Sequence, residues 1–144
     1  SGDADRIQGG TSNGNMAKED TGFIGFGTYV GGYALRPLLA NIHIIRAGFA
    51  LAPCSWSKLA WLKRMSFIAK YSYYLKDRNS GVINNGEALN AKREVGQGLD
   101  FALRWRVYHD LSTFINYAIF LPGEAYSSAE KDRQFFMFGL NISF

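Results

Sequence analysis

The chain has no run of the roughly 18 to 20 continuous apolar residues that a membrane-spanning helix needs, which excludes a helical membrane protein. It has one cysteine, Cys54, so an internal disulfide is impossible, and no partners stand at metal-ligand spacing. No metal and no cofactor are expected. Strong charge of one sign is missing too: the net charge is +4, and Lys and Arg are scattered, so nucleic acid is not expected as a partner. Histidine is scarce. His43 falls near the start of an alternating stretch and His109 in a tight turn, neither beside a nucleophile and a carboxylate. Glu87, Glu94, Glu124 and Glu130 fall in connections, where solvation explains them. The expectation is therefore a protein that is not an enzyme. A signal peptide is lacking as well, since Ser1-Gly2-Asp3 opens the chain, which suggests a mature chain or a piece of a longer one.

What the chain has is alternation. Phe136, Phe138, Leu140, Ile142 and Phe144 occupy every second position at the end, opposite Phe135, Met137, Gly139, Asn141 and Ser143. Successive strand residues point to opposite faces, so the first five make one wholly apolar face. This strand resembles the C-terminal strand of bacterial outer-membrane β-barrels, in which a terminal aromatic residue and alternating apolar residues form the assembly signal. Gly139 fits that signal, whereas Met137 stands where a polar residue is usual. The rival reading is a soluble β-sandwich that ends on a core strand.

The same pattern recurs upstream. Leu111, Thr113, Ile115, Tyr117, Ile119 and Leu121 oppose Ser112, Phe114, Asn116, Ala118 and Phe120. Val95, Leu99, Phe101, Leu103, Trp105 and Val107 oppose Gly96, Gly98, Asp100, Ala102, Arg104, Arg106 and Tyr108, with only His109-Asp110 before the next strand. Met65, Phe67, Ala69, Tyr71, Tyr73 and Leu75 oppose Arg64, Ser66, Ile68, Lys70, Ser72 and Tyr74. His43, Ile45, Ala47, Phe49 and Leu51 oppose Ile42, Ile44, Arg46, Gly48 and Ala50. Over residues 57–75 a helix competes, because Trp61, Leu62, Met65, Ile68 and Ala69 also satisfy helical spacing. The link at 53–60 is short, whereas those at 76–93 and 122–133 are long and polar, as barrels with short periplasmic turns and long outer loops require. Mean hydropathy of −0.12 is compatible with this, because barrel strands put only alternate residues into lipid. Trp56, Trp61, Tyr71, Tyr73, Trp105 and Tyr108 fall toward strand ends or apolar faces, as interfacial aromatic girdles do.

These patterns predict an all-β fold: an antiparallel transmembrane β-barrel, with this chain supplying a C-terminal part of about five to six strands of a larger barrel. Backbone groups in lipid must be paired internally, so so few strands cannot close alone. The expected division is residues 1–40, an extracellular loop and irregular segment, and residues 41–144, the C-terminal barrel strands. Candidate pore-lining residues are Arg46, Arg64, Lys70, Asp100, Arg104, Arg106 and Tyr108, all on the polar faces. A Lys or Arg facing lipid at mid-depth costs about 2–4 kcal/mol, whereas one facing a water-filled lumen costs little. Asp100 shares that face with Arg104 and Arg106, and pairing with either is open to it. Two roles stay open for the cations: an anion-selecting lining, or partners of carboxylates on strands outside this chain.

Glu94-Val95-Gly96-Gln97-Gly98-Leu99-Asp100, then residues 101–109, Leu111-Ser112 and Phe120-Leu121-Pro122-Gly123-Glu124-Ala125 together resemble the closing strands of the alginate-export family of outer-membrane porins. There a Gly-(Gln/Trp)-Glu-Leu-Asp-like run opens a strand, and a Phe-x-Pro-Gly-(Asp/Glu) box follows the next one. Gly98 replaces the acidic residue of that run, and Ser1-Gly2-Asp3 is similar to a tripeptide that ends an earlier strand in such porins. The resemblance implies a monomeric barrel of about eighteen strands in the Gram-negative outer membrane. It further implies a channel for anionic polysaccharide of the alginate type or for small anionic solutes. Expected partners are outer-membrane lipid, the remaining N-terminal strands of the barrel, the barrel-assembly machinery and the transported solute. The alternatives are a general small-solute porin and a soluble β-rich carbohydrate-binding module.

Overall fold

The structure is a computed structural model that describes residues 31–37, 41–83 and 87–143. Most of the first forty residues, and Phe144, lie outside the described residues. Five strands form one antiparallel sheet in chain order: β1 (Ile42–Leu51), β2 (Met65–Lys76), β3 (Glu94–Arg106), β4 (Leu111–Pro122) and β5 (Arg133–Ile142). The only helix among the described residues is a single turn, α1 (Ala60–Lys63), so the helical spacing noted over 57–75 is realised only there. From Met65 onward the alternating pattern and the ladder to β1 and β3 prevail.

Register keeps the expected faces together. Ser66 pairs with Arg104, Arg104 with Phe114, and Phe114 with Gly139, while Phe67 pairs with Leu103, Leu103 with Ile115, and Ile115 with Phe138. The apolar side is the open one: Ile45, Phe136 and Leu140 are each more than 60% exposed, and no described element covers them. On the opposite side Ser72, Asp100 and Asn116 are buried. A soluble β-sheet protein distributes these types the other way round. Among the described residues β1 pairs only with β2 and β5 only with β4, so the sheet is open at both edges, consistent with part of a β-barrel.

At the end of the sheet that carries the two long connections, the polar face holds a small core. Tyr74, Phe120 and Tyr126 meet edge to face at 5.9 and 5.7 Å, and Val95, Ile83, Ala88, Ala125 and Leu35 fill in around them. Val95 corrects an expectation, because alternation placed it on the apolar face. Tyr74 pairs with Gly96 and Leu75 with Glu94, which leaves Val95 as the extra residue of a bulge and turns it into the core, fully buried. Gly96 permits this with φ of 140°, and a Cβ there would stand 2.2 Å from the Leu121 carbonyl oxygen.

Lys76 closes the same region. Its side chain is fully buried and donates to the carbonyls of Ala88, Asn90 (2.8 Å) and Asn79 (3.4 Å), which ties these three residues of the long connection to the end of β2. Lys76→Met should strip these acceptors of their donor at a cost of about 1–3 kcal/mol. The expected result is faster proteolytic cleavage within residues 77–93 with unchanged β content by circular dichroism. An unchanged cleavage rate would show that the lysine does not hold the loop.

Candidate functional site

Two different environments share the polar face. Near the short connections, Arg64 leaves α1 as its C-terminal cap, and Arg104 and Arg106 stand among the last three residues of β3. With His109, Asn116 and Asn141 they line an open cavity of about 850 Å³, whose apolar wall includes Phe114 and Met137. Gly139 matters to this wall because the Phe114 ring packs against it: a Cβ there would meet two ring carbons at 2.4 Å. Among the described residues Arg64, Arg104 and Arg106 make no ion pair, so their positive charge is directed into the cavity. Such an array attracts anions, and low-dielectric walls strengthen its field.

Farther toward the long connections Arg46 and Asp100 are engaged. Arg46 donates from Nε to Ser72 Oγ at 2.9 Å and from Nη2 to the Gly31 carbonyl. Tyr74 donates its hydroxyl to the same carbonyl at 2.6 Å. Asp100 accepts the Tyr33 backbone N–H at 2.9 Å and makes no ion pair with Arg104 or Arg106, so the pairing that the sequence left open is not the one made. The reason is reach, since residues 31–37 lie on this part of the face and bring a donor directly above the carboxylate. Lys70 is exposed, in register between Gly48 and Asp100.

The turn that carries Tyr108 is longer than expected. β3 ends at Arg106 and β4 begins at Leu111, so residues 107–110 form a four-residue turn in place of the expected two-residue one, closed by Tyr108 N–H to the Leu111 carbonyl at 3.1 Å. Once the ladder ends, alternation no longer assigns a face, and Tyr108 is 65% exposed in the turn. His109, Asn116 and Asn141 are cavity residues not singled out from the sequence. An Asn opposite an apolar face, in mid-strand for Asn116 and near the strand end for Asn141, was the available signal for these two, whereas His109 lies in the four-residue turn, where alternation assigns no face.

Two further groups frame the face. At the long-connection rim Arg133 binds Glu87 with both oxygens at 3.0 and 3.1 Å and Glu130 at 2.9 Å, and Tyr126 donates to Glu87 at 2.7 Å. Burial, and then the Glu87 carboxylate beside it, push the Tyr126 phenol up, so it stays protonated and keeps this bond at neutral pH. The network ties the two long connections together. At the opposite rim the Trp105 indole donates to the Trp61 carbonyl at 2.9 Å, with the two ring systems 5.3 Å apart. Trp56 is exposed at the same end. On β5, Phe136, Phe138, Leu140 and Ile142 all emerge exposed on the apolar face, while Phe144 lies outside the described residues.

A search of curated proteins finds no match to this chain. The family model described as alginate export matches residues 1–139. That match spans the β3–β4 motifs and the first forty residues alike, and it covers nearly the whole chain: the protein belongs to the alginate export family.

Proposed function

We propose that this chain is the C-terminal part of an outer-membrane β-barrel whose lumen conducts alginate-like anionic polysaccharide or small anionic solutes. The family supports a role in alginate export. The observation that carries the channel reading is the convergence of Arg64, Arg104 and Arg106, without ion-pair partners among the described residues, on a cavity of the polar face whose reverse is apolar and uncovered. A polyanion sliding past needs positive charge that is hydrated and available. Three arginines without carboxylate partners among the described residues supply it, and the open cavity leaves room for sugar rings and water. The open edges of β1 and β5 are then completed by other strands of the same barrel, since unpaired backbone groups cannot stand in lipid.

The direct test is a planar bilayer containing the full-length barrel under a salt gradient. A reversal potential of the sign set by anion permeation is expected, and a cation-preferring channel would overturn the selectivity. The soluble binding-module alternative is separated by purification without detergent: a monodisperse protein in plain buffer would overturn the membrane reading.

Assembly supplies a further prediction. The outward row Phe136, Phe138, Leu140 and Ile142, continued by Phe144 in the sequence, fits the C-terminal signal of outer-membrane barrels. Deleting Phe144 should lower the amount of folded protein in the outer membrane of cells while leaving folding into vesicles in vitro largely intact. Equal abundance with and without Phe144 would count against its role as the signal.

A further inference from the structure

Residues 31–36 cross the polar face, and within them Tyr33 and Arg36 follow one row of the β-ladder. Asp100 on β3, Ala118 on β4 and Phe135 on β5 are consecutive partners in register. Tyr33 is fixed at both ends of this row. Its backbone N–H donates to Asp100 Oδ1 at 2.9 Å, and its ring stacks on Phe135 with centroids 5.7 Å apart and planes 9° from parallel. Ala118, midway, is fully buried. Two strand spacings amount to about 10 Å, a span that one tyrosine with its backbone covers. Arg36 adds its guanidinium over the same Phe135 ring at 5.0 Å, and Leu35 enters the core beside it.

The segment sits tightly on the sheet. Gly31 offers its carbonyl to both Tyr74 and Arg46. At Gly32, φ is 153° and a Cβ would stand 2.3 Å from the Tyr74 hydroxyl oxygen, so only glycine brings the backbone this close. The Tyr74 ring in turn lies over Gly98, where a Cβ would be 3.1 Å from it. Gly98, the position at which this chain lacks the acidic side chain of the related motif, is therefore the floor that lets Tyr74 reach the segment.

We propose that residues 31–36 are a fixed constriction of the channel, held at its height above the wall by Asp100 as the positioning residue. The assignment rests on the channel reading. The carboxylate serves through its acceptor oxygen on the Tyr33 N–H, in preference to acting through its charge on the permeating ion. Two variants of the full-length barrel separate these roles. Asp100→Asn keeps Oδ1 as an acceptor and loses the charge, whereas Asp100→Ala loses both.

Single-channel conductance in planar bilayers should rise in Asp100→Ala, on the order of twofold if the freed segment opens comparable area at the narrowest point, and should rise clearly less in Asp100→Asn. Tyr74→Phe, which removes one donor to Gly31, should also raise conductance. β content by circular dichroism is expected to match wild type in all three. Equal conductance of Asp100→Ala and wild type would overturn the constriction while leaving the channel standing. A rise of equal size in Asp100→Asn and Asp100→Ala would overturn the positioning role and make the charge responsible. A silent wild type beside a conducting Asp100→Ala would support the assignment, with the segment closing the pore fully. Silence in every variant would remove the channel reading and this inference together.

Discussion

Full-length barrels carrying Arg104→Gln and Arg106→Gln together will lose most of their anion preference, and the reversal potential under a salt gradient will move toward cations. These two side chains stand two positions apart on β3, roughly 7 Å at strand rise, and both face the cavity they share with Arg64. Charges so close act on a passing anion as one unit at low salt, because screening extends over about 10 Å at 0.1 M. The wild-type preference should therefore weaken as salt approaches 1 M, where screening shortens to about 3 Å, and the double variant should show little salt dependence. Folding should be nearly unaffected, since both side chains are exposed and no ion pair among the described residues is broken. Unaltered selectivity in the double variant would mean that Arg104 and Arg106 neutralise carboxylates on other strands and stiffen the wall.

The second large effect concerns Met137 and Phe138, neighbours near the middle of β5 that point to opposite faces. Met137 lines the arginine cavity, whereas Phe138 is exposed on the apolar side. Lysine placed at Phe138 must put its charge into hydrocarbon, at about 2–4 kcal/mol near mid-depth. Lysine at Met137 meets water, and only mild repulsion from nearby arginines opposes it. Urea titration of the full-length protein folding into lipid vesicles should show a marked loss of stability for Phe138→Lys and a small one for Met137→Lys. Refolding in vitro keeps the comparison independent of cellular recognition of the C-terminal strand. Equal losses at the two positions would show that the two faces do not meet different solvents, and would favour a soluble fold.

Face assignment along β2, β4 and β5 and along most of β3 was legible in the sequence because it depends only on the pleat: with a period of two, each residue type declares its side without knowledge of its neighbours. That is why the row Phe136, Phe138, Leu140 and Ile142, and the placement of Arg104 and Arg106 opposite it, could be read directly. Where the pleat is interrupted the same reading fails. Val95 turns inward because a bulge adds a residue to β3, and alternation assigns Tyr108 no face because β3 ends at Arg106. Bulge position and strand end are set by pairing with a second strand, which a one-strand pattern does not contain.

The tertiary structure alone decided how the polar face is divided. Five cations on that face look alike in the sequence, yet Arg46 is held with Ser72 and Gly31, while Arg64, Arg104 and Arg106 converge on one cavity. Asp100 meets the Tyr33 N–H from a segment 67 positions away, and not the arginines four and six residues along its own strand. Hydrogen-bond partners are chosen by what packs within about 3 Å, a distance that chain separation does not encode.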